Sequence, residues 1–76
     1  MPRLPRITSA QVIRVLEQQG FYLDRQKGHK IYLRNDGKRV TVPYHAGMTL
    51  KPRTLKSILK DAGWTVAEFV QLLQES

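Results

Sequence analysis

The sequence predicts a small α+β domain in which a helix, three antiparallel strands and a second helix follow one another, with a short third helix at the C-terminus. Two capping boxes, each a threonine followed three residues later by Gln or Glu, mark helix starts at Thr8 and Thr65. Between them lie three short segments rich in aromatic and β-branched residues, separated by turn residues. The 76 residues suffice for one core, so we expect a single domain over residues 1–76 with a flexible leader at 1–7.

The first helix is predicted to begin after Thr8, because Thr8 and Gln11 have the spacing of a capping box. Gly20 is placed to end it, since glycine readily takes the left-handed conformation of a helix terminus. The apolar stripe of this helix consists of Val12, Ile13, Val15 and Leu16.

Three strands are predicted at residues 21–26, 30–34 and 39–42, with turns at Lys27-Gly28 and Asn35-Asp36-Gly37. Side chains alternate between the two faces of a strand, so one face of the sheet should be apolar and covered by both main helices. The other face should be cationic and left open for a ligand. The apolar face is predicted to contain Ile31, Leu33, Val40 and Val42. The cationic face is predicted to contain Lys30, Tyr32, Arg34, Arg39 and Thr41.

The second main helix is predicted to start at Pro52, a residue suited to a first helical turn, and to end at Gly63. The third helix follows Thr65 and runs to Leu73. The apolar residues of the second helix, which recur at helical spacing, are Leu55, Ile58, Leu59 and Ala62. Its opposite side carries Arg53, Lys56 and Lys60.

The formal charge of +7 is concentrated in the middle of the chain. Ten of the thirteen basic residues lie between Arg25 and Lys60, and Asp36 is the only acid among them. Such a basic block is typical of a site for a polyanion, of which nucleic acid is the most common. The alternative is a charged surface that serves only solubility.

Composition excludes several other classes of protein. The chain has no cysteine, so disulfides and thiolate metal sites are excluded, and no stretch approaches the roughly 20 apolar residues of a membrane span. We therefore expect a cytoplasmic protein. Two histidines and six dispersed acids form no metal-ligand cluster, and there is no glycine-rich phosphate loop, so we expect no metal and no cofactor.

Three ordered blocks carry a family resemblance that covers the chain from Ser9 to about Leu73. They are residues 25–32 (RQKGHKIY), 40–45 (VTVPYH) and 54–63 (TLKSILKDAG). Together they resemble HicA-type toxins, which cleave messenger RNA in bacterial toxin-antitoxin pairs. The resemblance implies the fold of double-stranded RNA-binding domains, metal-independent endoribonuclease activity on mRNA, and a HicB-type antitoxin that covers the basic surface.

The resemblance also implies a catalytic residue, His29, which matches the histidine that follows a glycine step in the family. The step here reads Lys27-Gly28-His29, one residue shorter than the usual form. Histidine suits RNA cleavage, because its unperturbed pKa of about 6.5 lets it take the proton of the attacking 2′-hydroxyl near neutral pH. The residues predicted to contact RNA are Lys27, Lys30, Tyr32, Arg39, His45, Arg53, Lys56 and Lys60, with Lys27, Lys30 and Arg39 nearest His29 and Tyr32 stacking on a base.

Other interpretations remain open. His29 shares its parity with Ile31 and Leu33, so it could instead point toward the core at the edge of the sheet. His45 could act with His29 as an acid-base pair or serve only as a loop anchor. The whole chain could also be a non-catalytic module of the double-stranded RNA-binding type, or a toxin relic that the shortened turn has inactivated.

Overall fold

The computed structural model describes residues 6–43 and 49–76. The elements are α1 (Ser9–Gln18), β1 (Tyr22–Lys27), β2 (His29–Leu33), β3 (Arg39–Pro43), α2 (Pro52–Ala62) and α3 (Val66–Glu75). This order confirms the predicted α-β-β-β-α arrangement with an added C-terminal helix. Among the helices of the described residues, none combines the length and the apolar character that crossing a membrane requires.

Both predicted capping boxes are present. The Thr8 hydroxyl accepts a hydrogen bond from the Gln11 backbone N–H at 3.2 Å, and the Gln11 side chain accepts one from the Thr8 N–H at 2.8 Å. Thr65 and Glu68 form the same reciprocal pair at the start of α3, at 3.1 and 3.0 Å. Each box satisfies two backbone N–H groups that have no partner within the helix, which is why the helices start at these residues.

The three strands form one antiparallel sheet in the order β1-β2-β3. The strand ends differ slightly from the prediction, because β1 runs from Tyr22 to Lys27 and β2 already begins at His29. Lys27 pairs directly with His29, so Gly28 alone separates the two strands. The φ angle of Gly28 is +80°, a conformation that glycine adopts without strain.

The prediction of which side chains of β2 face the core is wrong, because the two sets of alternating residues are exchanged. Tyr32 pairs with Val40 and Lys30 with Val42, and directly paired residues lie on the same face of an antiparallel sheet. Both valines are fully buried and Tyr32 is only 3% exposed, so this is the face that the helices cover. Ile31 and Leu33, predicted to face the core, lie on the opposite face and are half-buried there.

The core lies between that inner face and the helices, as predicted. It joins Val12, Val15 and Leu16 of α1 to the apolar stripe of α2, with Phe69 of α3 fully buried at one end. Ile7, the last residue of the predicted leader, is packed in this core, and its carbonyl accepts a 2.7 Å hydrogen bond from Leu50. Residues 1–5 lie outside the described part of the chain.

Candidate functional site

The sheet face turned away from the helices, here called the outer face, is uncovered by any other described element. The strand pairing arranges its residues in three rows. The first row is Lys27, His29 and Pro43; the second is Arg25, Ile31 and Thr41; the third is Tyr22, Leu33 and Arg39. The face therefore contains two aliphatic side chains and a histidine on the central strand, together with three cations, a tyrosine, a threonine and a proline on the outer strands.

A β-bulge in β1 determines which side chains reach the outer face. Leu23 pairs with Tyr32 and Arg25 with Ile31, so Asp24 is an extra residue without a partner on β2. In a regular strand Tyr22 and Arg25 would lie on opposite faces, because side chains alternate. The bulge shifts the alternation by one residue, as bulges do, and brings both onto the outer face.

His29 lies at the edge of this face, next to the turn, and is exposed. It does share its parity with Ile31 and Leu33, but that parity faces outward, so the interpretation in which His29 points into the core is wrong. Lys27 is also exposed and pairs directly with His29, a position that sets the Cβ atoms about 5 Å apart. The one-residue turn therefore presents an imidazole and an ammonium group side by side to a ligand.

The other two cations predicted nearest His29 occupy different places. Lys30 lies on the inner side of β2, paired with Val42, and is half-buried. Arg39 lies on the outer face but in the third row, four residues along the sheet from His29, which corresponds to about 13 Å. Of the three, Lys27 alone lies beside the His29 side chain on the outer face.

Tyr32 was predicted to stack on a base from the cationic face, and this placement is wrong. Its ring belongs to the core, where burial, with a smaller contribution from Glu17, raises the pKa of its hydroxyl. The physical reason is the pairing with Val40, since the two side chains together fill the space under α1 and α2. Tyr32 contributes to the stability of the sheet rather than to its accessible surface.

Arg53, Lys56 and Lys60 form a separate basic surface, here called the α2 stripe. All three are exposed, and they lie on the side of α2 opposite its buried residues. Since α2 packs on the inner face of the sheet, the α2 stripe points away from the outer face. The structure thus divides the predicted contacts between two sides of the domain.

Two further cations of the basic block have structural roles. The Arg34 guanidinium donates hydrogen bonds to the Asp36 carboxylate at 2.7 and 3.1 Å and lies 4.8 Å from the centre of the Phe21 ring. The hydrogen bond from Arg34 lowers the pKa of Asp36. The Lys38 ammonium lies beside Gly63 at the C-terminus of α2, where the helix dipole favours a positive charge.

His45 lies outside the described residues, as does the neighbouring part of its loop at 44–48. Within residues 6–43 and 49–76, no group of three or more His, Asp or Glu side chains is placed to hold a metal ion.

The contacts predicted from the sequence did not include Arg25 or Tyr22, although Tyr22 was one of three tyrosines interleaved with the basic residues. Arg25 pairs with Ile31, one row from His29, and its side chain is 77% exposed. Tyr22 is 49% exposed in the third row. Regular alternation separates these two residues, and only the bulge at Asp24 unites them. The feature of the sequence that could have indicated these two residues is their closeness to Gly28, because the turn at Gly28 fixes the register of the hairpin.

The fold and the outer face define a class of protein. It is the class of small basic α+β domains in which one face of the sheet is uncovered and carries cationic side chains and a histidine. Residues 9–64 match the family described as the HicA toxin of bacterial toxin-antitoxin systems. The match spans most of the chain, and the chain therefore belongs to the HicA toxin family. Membership makes it the toxin of such a system and implies a cognate antitoxin as its partner. A comparison with curated proteins finds no match.

Proposed function

We propose that this toxin is a metal-independent endoribonuclease that cleaves mRNA in the cytoplasm with His29 as its catalytic residue. The observation that carries the proposal is the exposure of His29 beside Lys27 on the open face of a basic sheet. A proton acceptor and a cation at adjacent positions are the two groups that phosphodiester cleavage needs most. Family membership supports the proposal, because a toxin must act on a target whose loss stops growth.

The proposed reaction uses the nucleophile that RNA itself supplies. His29 takes the proton of a 2′-hydroxyl, whose oxygen then bonds to the adjacent phosphorus. The bond from phosphorus to the 5′-oxygen breaks, and that oxygen takes a proton from solvent. The products are a 2′,3′-cyclic phosphate and a 5′-hydroxyl end. Lys27 stabilises the charge that develops on the phosphoryl oxygens, since it is the cation directly opposite His29.

Binding of the RNA backbone is assigned first to the outer face. Arg25 and Arg39 extend the positive charge along the sheet from the row of His29. The α2 stripe and Lys30 stay predicted contacts, but an RNA held at His29 reaches the α2 stripe only by passing around an edge of the sheet. His45 stays a predicted contact in the loop after β3.

The proposed antitoxin is of the HicB type, and the outer face is the surface that it has to block. A partner that presents acidic side chains there would match the charge of Arg25, Lys27 and Arg39. Such a partner would exclude RNA from His29 without changing the fold of the toxin.

The experiment that tests this function is incubation of the purified protein with a long RNA in excess chelator, with fragments read on a gel. We expect cleavage by the wild type and none by His29→Ala, which should still bind RNA. Gln26→Ala is the matched control, because Gln26 lies in the same hairpin on the inner side. It should cleave like the wild type, and fragments should carry 2′,3′-cyclic phosphate ends.

Other outcomes would assign the protein to another class. Intact RNA in every lane, with binding retained, would indicate the non-catalytic binding module or the inactivated relic. Cleavage that persists in His29→Ala would place the reaction elsewhere on the molecule. Cleavage that the chelator abolishes would contradict the metal-independent mechanism.

A further inference from the structure

Among the described residues, Tyr22 is the exposed aromatic side chain of the outer face. It is 49% exposed and pairs with Leu33, so its ring lies beside the half-buried aliphatic side chains of the central strand. Arg39 pairs with Leu33 from the other side and belongs to the same row. An aromatic ring on an open sheet, flanked by an aliphatic surface and a cation, is the arrangement on which unpaired bases stack.

We propose that Tyr22 is a substrate-binding residue on which an unpaired base of the RNA stacks, close to the bond that is cleaved at His29. The proposal rests on the proposed ribonuclease function and adds the form of RNA that the site accepts. Tyr22 binds the substrate and takes no part in the proton transfers.

The composition of the outer face favours unpaired RNA over a duplex. A duplex would present phosphates and sugars to the face, because its bases are paired and stacked on one another. Those groups match Arg25, Lys27 and Arg39 but leave Tyr22, Ile31 and Leu33 without apolar contacts. An unpaired strand offers bases to the centre of the face and phosphates to its border.

The distance between Tyr22 and His29 sets the position of the stacked base. Four residues of β2 separate their rows, which corresponds to about 13 Å along the strand. That length is roughly four stacked nucleotides at about 3.4 Å each, and fewer when the strand is extended. The base on Tyr22 is therefore within about four nucleotides of the cleaved bond.

The bulge at Asp24 supports this assignment. It places Tyr22 on the same face as Arg25 and Lys27, which regular alternation would separate. Leu23, the adjacent residue, is similarly exposed at 45% but lies on the inner side of the sheet, paired with Tyr32. The pair Tyr22 and Leu23 thus offers two large exposed side chains on opposite faces of one strand.

The test measures RNA binding in the His29→Ala background, where the RNA stays intact, by fluorescence anisotropy of a short labelled strand. We expect Tyr22→Leu to weaken binding about 5- to 150-fold, the range for loss of one stacked base. Tyr22→Phe should bind like the parent, since the ring is kept, and Leu23→Ala is the matched control that should not change binding. The dependence of binding on salt should stay the same in Tyr22→Leu, because no phosphate contact is lost.

A second measurement does not depend on any Tyr22 variant folding. The His29→Ala protein should bind the single strand more tightly than a duplex of the same sequence. Equal binding of the two forms, or unchanged binding by a folded Tyr22→Leu, would overturn the proposal and leave the apolar part of the outer face to a protein partner. Because these experiments measure binding, they can fail while His29-dependent cleavage holds, and the reverse is also true.

Discussion

At the level of single residues, the site depends on the side of the sheet to which each side chain of β2 belongs. His29 reaches solvent because the pairing of Tyr32 with Val40 assigns the even-numbered residues of β2 to the core. His29, Ile31 and Leu33 then form the outward set. The position of the candidate catalytic group is thus determined by a buried tyrosine three residues away.

Tyr32 should therefore affect stability and leave RNA recognition unchanged. Tyr32→Phe keeps the ring in the core and should retain both RNA binding and cleavage. Tyr32→Ala leaves a cavity and should lower the free energy of unfolding by about 3–5 kcal/mol, as for other buried aromatic residues. Urea denaturation and RNA binding measure the two effects. A folded Tyr32→Phe variant with weakened RNA binding would contradict this placement.

The ion pair of Arg34 and Asp36 should make stability depend on acidic pH. The hydrogen bond from Arg34 lowers the pKa of Asp36 in the folded state, so its stabilisation is present above the ordinary pKa of aspartate and is lost as pH falls through the lowered value. Asp36→Asn should be slightly less stable than the wild type at neutral pH and equally stable in strong acid. Thermal unfolding as a function of pH measures this, and a difference that grows in acid would refute it.

At the level of elements, the helices and the faces of β3 could be predicted from sequence, whereas the faces of β2 could not. Capping boxes and helical periodicity are local, so Thr8, Gln11, Thr65 and Glu68 show where α1 and α3 begin. Alternation in a strand only sorts residues into two sets. In β2 both sets contain large apolar side chains, and the choice between them comes from the partner strand, where Val40 and Val42 have no competitor.

The bulge was equally hidden, because the feature that marks Asp24 as the extra residue is its lack of a partner on β2. Nothing in the local sequence distinguishes an extra residue from a regular one in a strand whose side chains are all exposed. For this reason Arg25 and Tyr22 were absent from the predicted site, while Lys27 and His29, fixed by the turn at Gly28, were in it.

Two deletions in β1 test the role of the bulge. Deleting Asp24 removes the extra residue and keeps every other pair, so the variant should fold and retain His29-dependent cleavage. Deleting Gln26 should let Asp24 pair with Ile31 and move Arg25 to the inner side, which exchanges a cation for an acid on the outer face. Cleavage should then fall by about tenfold or more, as for loss of a charged contact. The cleavage rate is the measurement, and equal rates for both deletions would contradict the assigned register.

At the level of the whole molecule, the positive charge is divided between the outer face and the α2 stripe. Arg25, Lys27 and Arg39 belong to the first, and Arg53, Lys56 and Lys60 to the second. In the proposed function, the formal charge of +7 would attract RNA to the whole domain, whereas His29 lies on the outer face. The proposal therefore predicts that attraction and cleavage can be separated.

Two triple variants with the same net charge should separate the attraction of RNA from its cleavage. Replacing Arg25, Lys27 and Arg39 by Gln should abolish cleavage. It should also reduce the slope of log affinity against log salt by about 2 units, because each phosphate contact on a single strand contributes roughly 0.7. Replacing Arg53, Lys56 and Lys60 by Gln removes the same charge and should weaken association while cleavage of bound RNA persists. Single-turnover rates and salt titrations measure both. Identical behaviour of the two variants would show that only net charge matters.

The proposed position of RNA, on the outer face across His29, can be tested by chemical-shift mapping of the amide signals. The titrant is a short RNA in which methoxy groups replace the 2′-hydroxyls, so that it cannot be cleaved. We predict that the largest changes occur at Tyr22, Arg25, Lys27, His29 and Ile31. Changes concentrated on the α2 stripe, with these residues unaffected, would contradict the claim.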